Sequence, residues 1–127
     1  HNNLTPAAVG LDVSITPIST SNKILILLNA FIGGAQTANE YLTVYRGATV
    51  LGGKTFACVR IDQTLQSEYM CVPVSWSYLD SPATTSSTTY SFKMATNYQT
   101  VYLNRPYNQG GFSDVLISTI TAMEIAA

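Results

Sequence analysis

A chain of 127 residues is long enough for one domain that buries about two-thirds of its unfolded surface, so it needs neither metal nor disulfide merely to fold. Charged residues make up 10% of it against a norm of about 25%, net charge is −1, and the six basic residues (Lys23, Arg46, Lys54, Arg60, Lys93, Arg105) are scattered, which argues against nucleic acid as a partner. The longest apolar run, Ile24 to Leu28, stops at Asn29, short of the ~20 residues of a membrane-crossing helix, so no membrane insertion is expected.

In chain order, residues 1–10 read as an arm or linker, with His1-Asn2-Asn3 the tail of a linker within something longer, and a single β-domain follows over 11–127. Leu11 to Thr16 alternates and ends at Pro17. Lys23 to Ile32 is apolar on both faces: Ile24, Ile26, Leu28, Ala30 and Ile32 on one, Leu25, Leu27 and Phe31 on the other, with Gly33-Gly34 closing it. Thr37 to Glu40 supports one helical turn at most. Tyr41 to Arg46 is rich in aromatic and β-branched residues, Val50-Leu51 runs into Gly52-Gly53, and Thr55 to Ile61 follows.

Met70 to Tyr78 has the clearest alternation, with Met70, Val72, Val74, Trp76 and Tyr78 on one face, where Trp76 reads as core. Pro73 inside it predicts an edge strand or a bulge, because proline cannot donate to the ladder. After a polar loop, Tyr90, Phe92 and Met94 begin another strand and Thr100 to Asn104 another. A Pro/Asn/Gly-rich loop from Arg105 to Gly111 precedes the last, Val115 to Ile125. No stretch of ten or more residues has helical periodicity, so the expected fold is all-β: an antiparallel β-sandwich of jelly-roll type.

Two features bear on how the domain is held. If the polar stretch Asp62 to Glu68 closes a hairpin, Cys58 and Cys71 lie opposite one another, and two readings stay open: buried thiols acting as small apolar side chains, or a cross-strand disulfide. A sandwich strand normally shows one face to water, so the two-faced strand predicts either a covering loop or a contact with other subunits.

Catalytic chemistry is hard to place. The sole histidine is His1, which removes Ser-His-Asp, Cys-His and His-metal arrangements together. Asp62 and Glu68 read as a solvated turn, not a glycosidase pair, and the paired glycines mark turns, not a phosphate loop leading into a helix. Asp80 and Asp114 are isolated, and neither cysteine has a second ligand beside it. The expectation is therefore no enzyme, no cofactor and no metal. What remains is recognition: Asn97-Tyr98-Gln99, and Arg105 with Tyr107, Asn108, Gln109 and Phe112, carry aromatic faces beside amides, which suit sugars and adaptable protein contacts.

Several blocks, taken in order, are similar to a known group: Ser21 to Ile26, Tyr45-Arg46-Gly47, Tyr78 to Pro82, Thr88-Thr89-Tyr90, Thr100 to Arg105, and the ending Ser118 to Ile125. The chain resembles fibre and virion structural domains of tailed bacteriophages, cyanophages in particular, with a tumour-necrosis-factor-like jelly roll. The resemblance implies a homotrimer on the virion surface, contacting other virion proteins and binding a host-surface glycan or protein through loops at one end. The loop from Pro106 to Phe112, with two aromatics, departs from the Ser/Gly/Asp-rich loop of that group, and the cysteine pair is foreign to it. On this reading the receptor contacts are Asn97, Tyr98, Arg105, Tyr107, Asn108, Gln109 and Phe112, and the trimer contacts are Ile24, Ile26, Leu28, Ile120 and Ile125. A capsid-decorating or tail-joining role without a receptor, and a free-standing lectin-like module, are the alternatives.

Overall fold

A computed structural model describes residues 4–53, 59–62, 67–110 and 116–127. The strands are β1 (Ala7–Ile15), β2 (Lys23–Gly33), β3 (Asn39–Arg46), β4 (Thr49–Val50), β5 (Val59–Asp62), β6 (Val72–Asp80), β7 (Thr88–Thr96), β8 (Tyr102–Leu103) and β9 (Thr119–Ile125), with a 3-10 turn over Leu51–Gly53. They form two antiparallel sheets that pack as a β-sandwich. The first runs β1-β7-β3, with β4 and β5 both paired to β3. In the second, β2 lies between β6 and the two short partners β9 and β8. Period-2 alternation sets the layers: Tyr90, Phe92 and Met94 of β7 and Leu42 and Val44 of β3 meet the even-numbered residues of β2 in one core.

That core decides the fate of the two-faced strand. Ile24 and Ile26 are 0% exposed and Leu28 3%, all within the inter-sheet core of a single chain, so they cannot be the trimer contacts expected from the sequence. Full burial of each such side chain contributes about 1.5–3 kcal/mol, and the partners are already present. Ile120 also faces inward and packs against this core. Ile125 is different: it stays 42% exposed on the outer face. The outward residues of β2 are Lys23, Leu25, Leu27, Asn29 and Phe31, and register places Leu25 between Leu79 and Met123.

Three further expectations change. Pairing starts at Ala7, ahead of the expected boundary at Leu11, and a bulge between Ala8 and Asp12 carries Gly10 at φ 76, a left-handed value that glycine adopts without strain. Strands β5 and β6 sit in opposite sheets, so they do not pair with each other as the two arms of a hairpin. Cys58 lies outside the described residues, while Cys71 is a half-buried thiol whose pKa is raised by burial. Met70 precedes β6 and is exposed, whereas β6 itself lies at a sheet edge, in keeping with Pro73.

Two polar clusters fasten the end opposite the 97–110 loops. Asp80, buried at the end of β6, accepts two hydrogen bonds from Arg46 Nη1 of β3 (2.8 and 2.7 Å) and one from the Tyr90 hydroxyl of β7 (2.8 Å). Burial first, and the Asp80 carboxylate second, push the Tyr90 hydroxyl well above its ordinary pKa, so it stays a donor. Nearby, Glu124 accepts from Asn22 Nδ2 (2.7 Å) and the Ile18 amide (2.8 Å), and the Ala127 amide donates to Asn22 Oδ1 (3.1 Å). The Asn22 bond above all holds the Glu124 carboxyl below its usual pKa. Thus one carboxylate bridges the two sheets and the other pins the chain's last strand to the β1–β2 connection.

Removing the bridge should be costly because it strands two donors. Asp80→Ala is expected to lower unfolding free energy in urea by about 3 kcal/mol, and Tyr90→Phe by about 1–2 kcal/mol. The lower part of the buried-pair range applies because the Arg46 side chain keeps 27% exposure to water. A loss below about 1 kcal/mol for Asp80→Ala would contradict the bridging role.

Candidate binding surface

The other end of the sandwich is built around one close approach. A Cβ on Gly33 would lie 2.2 Å from the Arg105 carbonyl oxygen and 2.6 Å from Pro106 Cα, so only glycine lets the loop backbone cross the end of β2. Asn104 fixes the loop's entry. Its amide donates to the Phe31 carbonyl (2.8 Å), its carbonyl accepts from the Leu116 amide (3.0 Å), and its Oδ1 accepts from the Ser118 hydroxyl. Its φ of 66 is left-handed, a conformation that asparagine tolerates better than most residues other than glycine.

From that anchor the loop folds onto itself. The Arg105 guanidinium sits 3.6 Å from the Tyr102 ring centroid and donates to Gln109 Oε1 (3.2 Å). Stacking a cation on a tyrosine face in a half-buried site contributes about 1 kcal/mol. The Tyr107 ring tilts against Tyr102 at 5.9 Å, and its hydroxyl donates to Gln99 Oε1, joining this loop to the 97–101 turn. Asn108 is fully engaged: its amide donates to the Glu68 carbonyl (2.9 Å), its Nδ2 to Glu68 Oε1 and the Tyr69 hydroxyl (both 3.2 Å), and its Oδ1 accepts from Gly110.

The 97–101 turn has its own support. Asn97 Oδ1 accepts from the Asn39 amide (2.7 Å), and Thr96 Oγ1 both donates to the Tyr98 carbonyl (2.8 Å) and accepts from its amide. Tyr98 is left 53% exposed, and Tyr69 across the surface 58%. Beside the turn opens a cleft of about 400 Å³ between Leu4, Thr5 and Ala7 on one side and residues 94–97 and 99–101 on the other.

Six of the seven residues expected to contact a receptor are therefore placed at this end: Asn97, Tyr98, Arg105, Tyr107, Asn108 and Gln109. Phe112 lies outside the described residues. Their roles divide. Tyr98 and Tyr107 offer aromatic surface, whereas Asn108 and the Arg105–Gln109 pair brace the loop. Sequence reasoning passed over Glu68, Tyr69 and Tyr102, which join the surface only because β6 and β8 both abut the end of β2. Among the described residues no group of three or more His, Cys, Asp or Glu side chains could hold a metal ion, and no helix is long and apolar enough to cross a membrane. No family model and no curated protein matches the chain.

Gly33→Ala tests the close approach directly. It should displace the 104–110 backbone and cost about 1–3 kcal/mol, with amide chemical shifts changing at Arg105 and Tyr107 but not at Asp80 and Tyr90. Unchanged loop shifts would contradict the contact.

Proposed function

We propose that this domain is a non-catalytic attachment module of a virion fibre or spike, a jelly-roll sandwich that assembles as a homotrimer and holds a host-surface receptor with the loops at one end. The observation that carries this reading is the group of tyrosine, amide and guanidinium side chains over 97–109, fixed by bonds to one another and to β2. Such a surface binds with little ordering cost, because its rings and amides already occupy one arrangement.

The outer face of the β6-β2-β9 sheet supports assembly. Leu25, Leu27 and Phe31 are half-buried, Leu79, Met123 and Ile125 exposed, and the only charged residue among the outward positions of these strands is Lys23. An apolar patch of Leu25, Leu27, Leu79, Met123 and Ile125, separated from Phe31 by the polar row Ser75-Asn29-Thr119, is the composition of a subunit contact, and it takes the place of the core residues Ile24, Ile26 and Leu28 expected from the sequence. Three copies would multiply weak single-site affinity.

Two measurements test the reading. Labelled domain is expected to bind intact cells of some strains in a bacterial panel, and joint truncation of Tyr98 and Tyr107 to alanine should weaken that binding by on the order of 2 kcal/mol, about thirtyfold. Sedimentation velocity at micromolar concentration should give a trimer that Leu25→Glu with Leu27→Glu converts to monomer. Binding to no cells would overturn the attachment role, and a wild-type monomer would overturn the assembly.

A further inference from the structure

The cleft beside the 97–101 turn is chemically distinctive. None of its lining residues is charged. Apolar groups (Leu4, Met94, Val101) alternate with hydroxyls and amides (Thr5, Asn97, Gln99), and its volume of about 400 Å³ falls within the roughly 300–1,000 Å³ of small-molecule sites. The amides are oriented by what they already bind. Asn97 Oδ1 is occupied by the Asn39 amide and Gln99 Oε1 by the Tyr107 hydroxyl, so each has its Nδ2 or Nε2 left to donate.

Gln99 also holds φ 56, a left-handed value that is uncommon for a residue other than glycine. Such strain persists where surrounding bonds over-determine it, and here the Tyr107 hydroxyl supplies one of them. Donor amides, threonine hydroxyls and apolar side chains together match a ligand that is rich in acceptors, uncharged, and apolar on its C–H faces.

We infer that this cleft binds a neutral saccharide of one or two sugar units, with the Gln99 and Asn97 amides donating to its oxygens and the 4–7 segment forming the far wall. An anionic sugar or phosphate is disfavoured because no cation lines the cleft, the Arg105 guanidinium being stacked on Tyr102 and bonded to Gln109. The inference deepens the attachment reading and rests on it for its biological sense, but it is tested separately.

Isotope-labelled full chain is titrated with the methyl glycosides of glucose, galactose and N-acetylglucosamine, with N-acetylneuraminic acid as the charged comparator. At least one neutral glycoside should shift the side-chain amide signals of Asn97 and Gln99, saturating with a Kd of roughly a millimolar, as expected for so small a ligand. Gln99→Gly removes the amide and suits the left-handed backbone better, so it should keep the folded spectrum while weakening binding about tenfold or more. No shift from any neutral glycoside, shifts from the charged sugar alone, or unchanged affinity in Gln99→Gly would each overturn the assignment. A domain that binds cells yet fails this titration refutes the saccharide site while leaving the attachment reading intact. Saccharide binding without cell binding does the reverse.

Discussion

The structure depends on β2, the strand that is paired along both edges and buried on its inner face. Its even-numbered residues fill the space between the sheets, and β6, β8 and β9 all take their register from it. Where it ends, Gly33 admits the backbone of Arg105 and Pro106, so the loop surface is positioned by the same strand that organises the core. A change in the register of β2 by one residue would exchange its core and outer faces and move every loop built on it.

The scarcity of charge acquires a meaning in this frame. Arg46 serves the Asp80 bridge, Arg105 lies on Tyr102, Lys93 sits 4.1 Å from the Tyr45 ring centroid, and Arg60 donates to Asn39 Oδ1. Glu124 clamps the β1–β2 connection. These charges make contacts within the domain, and Ser, Thr, Asn, Gln and Tyr make up much of the remaining polar surface. A neutral surface of this kind recognises partners by shape, aromatic contact and hydrogen bonding, not by long-range attraction. The two ends divide the work: Asp80 and Glu124 fasten one, and the loops over 97–110 occupy the other.

The sandwich was legible in the sequence because period-2 alternation is strong in β6 and β7 and because Pro73 marks an edge. The assignment of β2 was half legible. Both of its faces are apolar, so composition alone does not tell which one the single chain covers, and Ile24, Ile26 and Leu28, whose pattern suits a subunit contact equally well, are core. The open question of a hairpin between Cys58 and Cys71 has a related cause: a polar link reads the same whether it turns within a sheet or joins two, and β5 and β6 lie in opposite sheets. At the loops, residue types were legible but roles were not. Asn108 braces and Tyr98 projects, and only the pairing of β6 and β8 with the end of β2 brings Glu68, Tyr69 and Tyr102 to the same surface.

The strand core holds the loop end in one arrangement before any ligand arrives. Amide hydrogen exchange tests it most directly. The amides of Asn104 and Asn108, bonded to Phe31 and Glu68, should exchange at least a hundredfold or so more slowly than an unstructured chain, and those of β2 only through global unfolding. Exchange of Asn104 and Asn108 at the rate of an unstructured chain, with β2 still protected, would contradict it.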